Sequence, residues 1–149
     1  DHAPVTALAM ASERRELFTT SQERYIKIWN LDDGRMARTY DAHRGSITSL
    51  TWLQHLRMLA SSSLDHSLAI WNFKGECSAR YKFPCAVYSA GYSAKNDLLV
   101  VGGTKRMFIL KLINSKDEWD LILQRTFEEH TDFISQIVCT PAGRIFSCG

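Results

Sequence analysis

The chain has 149 residues, 45% of them hydrophobic and 23% charged, with a formal net charge of +2. That length suits one domain, and that balance excludes a disordered or collagen-like chain. So small a charge, with no basic run longer than two residues, points to neither a nucleic-acid nor a membrane surface.

The first unit, residues 2–41, opens HAPVTALAM and closes its third apolar run on Trp29-Asn30, followed by the turn Asp32-Asp33-Gly34. Gly and Asp tolerate the positive φ of a tight hairpin there. The second unit, residues 42–82, repeats the first: Val5, Leu8, Met10 and Trp29 return as Ile47, Leu50, Trp52 and Trp71, each 42 residues on. Its short apolar runs, Ser46 to Trp52, Met58 to Ser62, Ser67 to Trp71 and Cys77 to Phe83, read as four antiparallel strands, with Lys74-Gly75 as the last hairpin turn.

The third unit, residues 83–128, keeps the spacing at Val87, Ala90 and Tyr92, 40 residues after Ile47, Leu50 and Trp52. Gly102-Gly103-Thr104-Lys105 lacks the spacing of a phosphate-binding loop and reads as a turn between strands. A long connection, Asn114 to Asp120, is expected before the run Trp119 to Phe127. Trp119 at its end is either blade packing or an exposed contact. The fourth unit, residues 129–149, repeats the front half, with Ile134, Ile137 and Cys139 four, seven and nine residues after His130. Core packing is expected for Trp52, Tyr88, Phe108 and Phe146, which fall at apolar phases of strands.

Four strands per unit, a period of ~41 residues, a histidine at the front and a tryptophan ending the third strand resemble the WD40 repeat family. The resemblance implies an all-β fold of β-propeller blades, each of four antiparallel strands, and about three and a half blades at that period. Trp-Asn stands where the family carries Trp-Asp, and Ala42 or Glu129 replaces its usual glycine before the histidine.

The resemblance also implies a hydrogen-bonded tetrad: His43, Ser61, Asp65 and Trp71 in the second unit, and His2, Thr19, Glu23 and Trp29 in the first. His2 lies one residue closer to Val5 than the pattern requires, and Glu23 replaces an aspartate. The third unit offers Phe83, Val101, Lys105 and Lys111, so packing alone must hold it, and the fourth offers His130 and Ser147. A buried imidazole, hydroxyl, carboxylate and indole are costly unless paired, which gives the tetrad a structural role.

The competing reading makes Asp65, His66 and a neighbouring serine a hydrolytic site. Adjacent residues on a strand point in opposite directions, which makes such a triad awkward. His66 is expected in solvent, and no catalytic residue, cofactor or metal is predicted. Glu128-Glu129-His130 and Asp32-Asp33 read as solvated acidic turns. Cys77, Cys85, Cys139 and Cys148 stand 8, 54 and 9 residues apart, which fits buried free thiols rather than zinc ligands. Free thiols and the lack of an Asn-x-Ser/Thr acceptor fit an intracellular, cytoplasmic location, with nuclear and ciliary locations as alternatives.

An open run of blades leaves two apolar faces bare, so a segment of a longer protein is expected, its faces covered by remaining blades in cis or by a second copy. The resemblance implies a noncatalytic protein-interaction scaffold in a multiprotein assembly. The alternatives are a targeting propeller of a multidomain enzyme, such as a ubiquitin-ligase receptor or kinase, and an architectural subunit of a ciliary or filament assembly. Loops on the tetrad face give the candidate partner contacts Gln22, Arg24, Arg44, Ser46, Leu64, His66, Lys105, Arg106, Asp132 and Phe133. They suit an acidic or mixed peptide on another protein.

Overall fold

A computed structural model describes residues 4–149. The first sheet holds β1 (Val5–Ala11), β2 (Glu16–Ser21), β3 (Tyr25–Asn30) and β4 (Met36–Asp41). The second holds β5 (Ile47–Leu53), β6 (Met58–Ser63), β7 (Ser67–Trp71) and β8 (Cys77–Lys82). The third holds β9 (Val87–Ser93), β10 (Leu98–Gly103), β11 (Met107–Ser115) and β12 (Glu118–Phe127), and β13 (Gln136–Cys139) pairs with β14 (Ile145–Cys148). Every pairing is antiparallel between consecutive strands.

The two-residue period decides which sheet each side chain meets. Along β6, Met58 and Ala60 join a core with Val87, Leu99, Val101 and Phe108 of the third sheet, while Leu59 joins Phe18, Ile26 and Ile28 of the first. Along β7, Leu68 and Ile70 face the third sheet and Ala69 and Trp71 the first. Both strands are therefore buried throughout, because each has a sheet on either side. Fully burying one such aliphatic side chain stabilises the fold by ~1.5–3 kcal/mol. A smaller core of Val100, Ile134 and Ile137 joins the third sheet to the last pair.

The first strands, β1, β5, β9 and β13, lie against one another in succession. Hydroxyls help tie them together: Thr48 Oγ1 donates to Val87 O (2.9 Å), Ser89 Oγ donates to Ile134 O just before β13 (3.0 Å), and Thr6 Oγ1 lies 3.3 Å from Ile47 O. A bulge also recurs in the third-to-fourth strand pairing of each four-stranded sheet, at Ile28/Trp29, Ile70/Trp71 and Ile109/Leu110. Such bulges sharpen strand twist. Gly34 and Gly75 take φ of 68° and 87° in the two expected hairpin turns, and a Cβ on Gly75 would strike the Tyr40 ring.

Four expectations need correction. Asn114 to Asp120 is no long connection: Asn114 pairs with Trp119 and Ser115 with Glu118, around a turn in which Lys116 and Asp117 have φ of 53° and 68°. A two-residue turn with both φ positive matches strand twist, but it normally carries Asn-Gly or Asp-Gly, so Lys-Asp, without a Gly, hides it. Phe146 is 55% exposed, because no sheet covers that side of β14 among the described residues. Cys77 and Cys148 are exposed thiols rather than buried ones, and Cys85 and Cys139 are half-buried. Gly102 and Gly103 belong to β10 itself, and the turn is Thr104 to Arg106. Trp119 packs, half-buried, against the core between the second and third sheets.

Candidate functional site

The loop before β5 buries His43, the end of β6 brings Ser61, the β6–β7 turn brings Asp65, and Trp71 closes β7. Trp71 Nε1–H donates to Ser61 Oγ (2.8 Å), and Ser61 Oγ lies 2.7 Å from His43 Nε2. His43 Nδ1 lies 3.0 Å from Asp65 Oδ2. An indole N–H only donates and a carboxylate only accepts, so the chain runs one way: Trp71 to Ser61, Ser61 to His43 Nε2, His43 Nδ1–H to Asp65.

Two further residues complete the network. Ser67 Oγ donates to Asp65 Oδ1 (2.6 Å) and lies 3.1 Å from His43 Nδ1. Arg80 donates from Nη1 to Ser67 Oγ (3.2 Å) and from Nη2 to Ala42 O (2.8 Å), its guanidinium 5.7 Å from the Trp71 ring centroid. The backbone N–H groups of Arg44 and Ser67 also donate to Asp65, at 2.9 and 3.0 Å. Ser67 was legible as the residue two after an aspartate, where Asx turns form. Arg80 was not, because its place depends on the register of β7 against β8 beyond the Ile70/Trp71 bulge.

Burial holds the His43 imidazole below its ordinary pKa of 6.5, outweighing the pull of Asp65, so the ring is neutral near pH 7. Burial pushes the Asp65 carboxyl up, but hydrogen bonds from Ser67, Arg44 and His43 outweigh it and bring the pKa from 3.8 to about 2. The His43–Asp65 contact is thus a hydrogen bond to a carboxylate rather than an ion pair. With both His43 nitrogens and the Ser61 hydroxyl engaged, these groups brace two loops and a strand.

In the first sheet Trp29 Nε1–H donates to Thr19 Oγ1 (2.7 Å), but Glu23 turns to Lys27 (3.7 Å). His2 lies outside the described residues. His130 Nε2 and Ser147 Oγ lie 2.8 Å apart. In the third sheet Phe83 and Val101 are buried in apolar surroundings, and Lys105 and Lys111 are exposed.

The candidate contacts divide among three places. Gln22, Ser46, Leu64 and Phe133 line a cavity of about 460 Å³ with Ile47 and Tyr88, and Leu64 and Phe133 stand 41% and 43% exposed on it. Arg24 and Arg44 line a separate recess of about 580 Å³ beside His43 and Asp65, with Asp41, Arg80 and Lys82. His66, Lys105, Arg106 and Asp132 line neither: His66 is exposed at φ 69°, Lys105 N donates to Asp132 O (3.2 Å), and Arg106 pairs with Glu128 (2.7 Å). No cluster of metal-ligating side chains occurs among the described residues.

Residues 1–30 and 34–72 match the family model of the WD domain, G-beta repeat. Eukaryotic translation initiation factor 3 subunit I of Aspergillus terreus is 31% identical over 102 residues, which is 68% of this chain and 30% of that protein. The same subunit of Emericella nidulans is 31% identical over 98 residues, covering 65% of this chain and 29% of that one. The chain therefore spans under a third of the length of these relatives. Among solved structures, a chain of the Mitotic Checkpoint Complex superposes with a TM-score of 0.84 at 18% identity, over 97% of this chain and 45% of that one. The computationally designed Ika4 protein superposes with a TM-score of 0.76 at 16% identity, over 99% of this chain and 92% of that one. The internal repeat, three complete four-stranded sheets and the match over the first two units place this chain in the WD40 repeat family.

Proposed function

We propose that the chain is part of a noncatalytic scaffold that holds other proteins in a multisubunit assembly. The observation that carries this reading is the full engagement of the residues a hydrolase would need: His43 and Ser61 bond each other, Trp71 and Asp65, and His66 points into none of this network. The loop-side cavity with its exposed Leu64 and Phe133 is the proposed seat of a partner, since a solvent-facing apolar pair rimmed by polar groups fits protein recognition. Relatives named as translation initiation factor subunits favour an assembly of the initiation machinery and a cytoplasmic location. The remaining blades are proposed to lie in the same protein, in line with the greater length of those relatives.

Co-purification of the full-length protein from its own cells, followed by mass spectrometry, tests the reading. Initiation-factor subunits are expected with the parent protein and lost with the double variant Leu64→Glu and Phe133→Glu. Retention of the same partners by a folded double variant would refute the cavity as their seat. A protein that sediments alone would refute the scaffold.

A further inference from the structure

The recess beside His43 is distinct from the loop-side cavity and has a chemistry of its own. It lies where the ends of β4 and β8 meet the loop before β5, with Asp41 at one edge and Arg80 and Lys82 at the other. Four cations line it, Arg24, Arg44, Arg80 and Lys82, against the carboxylates Asp41 and Asp65. His43 adds no charge, because burial keeps it neutral. This one recess therefore carries an excess of positive charge equal to the +2 of the whole chain.

The carboxylates present do not neutralise these cations. Arg24 faces Asp41 at 3.4 Å, which accounts for that pair. Both oxygens of Asp65 are taken by the N–H groups of Arg44 and Ser67, the Ser67 hydroxyl and His43. Arg80 lies against neutral groups, Ser67 Oγ, Ala42 O, His43 Nδ1 at 3.4 Å and the face of Trp71, so its orientation is set and its charge is not cancelled. Among the described residues, the Arg44 guanidinium and the Lys82 ammonium have no hydrogen-bond or ion-pair partner. Like charges gathered without counter-charge raise the energy of the empty recess, and a bound anion relieves it.

We infer that this recess docks the phosphoryl group of a phosphorylated side chain on a partner protein. Such a group carries about −1.5 to −2 charges at pH 7 and several acceptor oxygens, which matches an excess of two positive charges better than a single carboxylate does. Arg44 lines the recess from the loop before β5 and Arg80 and Lys82 line it from β8, so its cations come from different elements. A nucleic-acid backbone fits less well, because it presents a track of phosphates. Four other arginines are already paired, Arg14 and Arg38 with Glu16, Arg15 with Asp32 and Arg106 with Glu128, so these four offer no such track. The inference rests on the scaffold reading and adds to it the modification state of the partner.

Fluorescence anisotropy with the full-length protein tests it, using a phosphoserine peptide pool with degenerate flanks, the matching serine and glutamate pools, inorganic phosphate and a single-stranded RNA. The phosphoserine pool is expected to bind saturably and at least about tenfold more tightly than the serine and glutamate pools, a difference of about 1.4 kcal/mol. The double variant Arg44→Glu and Lys82→Glu should lose at least that factor with its melting midpoint unchanged, while Arg106→Glu should bind as the parent does. Equal binding of the serine and phosphoserine pools, no effect of the double variant, inorganic phosphate binding without the peptides, or RNA as the tightest ligand would each overturn the inference. Should it fail while partners still depend on Leu64 and Phe133, the scaffold reading stands without it.

Discussion

The second and third sheets share one architecture and solve the same internal problem in opposite ways. In the second, His43, Ser61, Asp65 and Trp71 fill the space between loop and strands with a chain of hydrogen bonds that Ser67 and Arg80 extend. In the third, Phe83 and Val101 occupy the corresponding first two places, and Phe83 packs against Phe108 at 4.8 Å between centroids and Tyr81 at 4.9 Å. At these places neither interior leaves a buried group unpaired, the first by satisfying its polar atoms and the second by having none there, although Ser93 Oγ elsewhere in the third sheet is buried without a partner. The polar chain is therefore one way to close a blade, and an apolar plug is another.

That contrast can be broken from the apolar side first. Phe108→Ala should cost about 3–5 kcal/mol, since it empties the ring-packed centre that stands in for a polar network. Urea denaturation measures it, and a loss below about 1 kcal/mol would mean that the third sheet has another brace. Ser61→Ala should cost roughly 1–3 kcal/mol, because Trp71 Nε1–H and His43 Nε2 lose their shared partner while remaining buried. An unchanged melting midpoint would show that the chain of bonds is dispensable.

The smallest effect is a dependence on pH on the acid side, to which Asp65 and His43 of the second sheet contribute. Glu16 of the first sheet contributes too: burial pushes its carboxyl up, but Arg14 and Arg38 outweigh that and hold it below its usual range. Asp65 has a folded pKa of about 2 against 3.8, so the stability it contributes is complete above pH 3.8 and is lost as pH falls toward 2. His43 is held below 6.5, so its contribution is complete above that value and is lost as pH falls through its lowered pKa. Melting midpoints across pH 2 to 7 should fall on the acid side, and Asp65→Asn should flatten the part below pH 4. The same acid limb in parent and variant would place the titrating group elsewhere. Phe108→Ala should leave the shape of this curve unchanged.

Much of the second sheet could be read along the chain. The 42-residue offset located its strands, and β5 to β8 begin and end within one residue of the runs Ser46 to Trp52, Met58 to Ser62, Ser67 to Trp71 and Cys77 to Phe83. The bonds of His43 to Ser61 and Asp65, and of Trp71 to Ser61, also join residues that the resemblance to the WD40 family had grouped. The extended hairpin of the third sheet escaped notice because Lys116-Asp117 carries no Gly and has Lys at the first positive φ, where Asn, Asp or Gly is usual. In the first unit Glu23, a longer residue in the place of the aspartate, pairs instead with Lys27, four residues on in β3.

By itself, the sequence determined the repeat, the strand count per unit and the residue types offered at each loop, because side-chain period and turn chemistry act over a few residues. Tertiary structure alone decided what those residues meet. Arg80 and Lys82 come beside Arg24 and Arg44 only when β8 pairs with β7 past a bulge and the second sheet stacks on the first. The charge of the recess, the neutrality of His43 and the acidity of Asp65 follow from that stacking, since burial and electrostatic neighbours are properties of distance in space and not of distance along the chain.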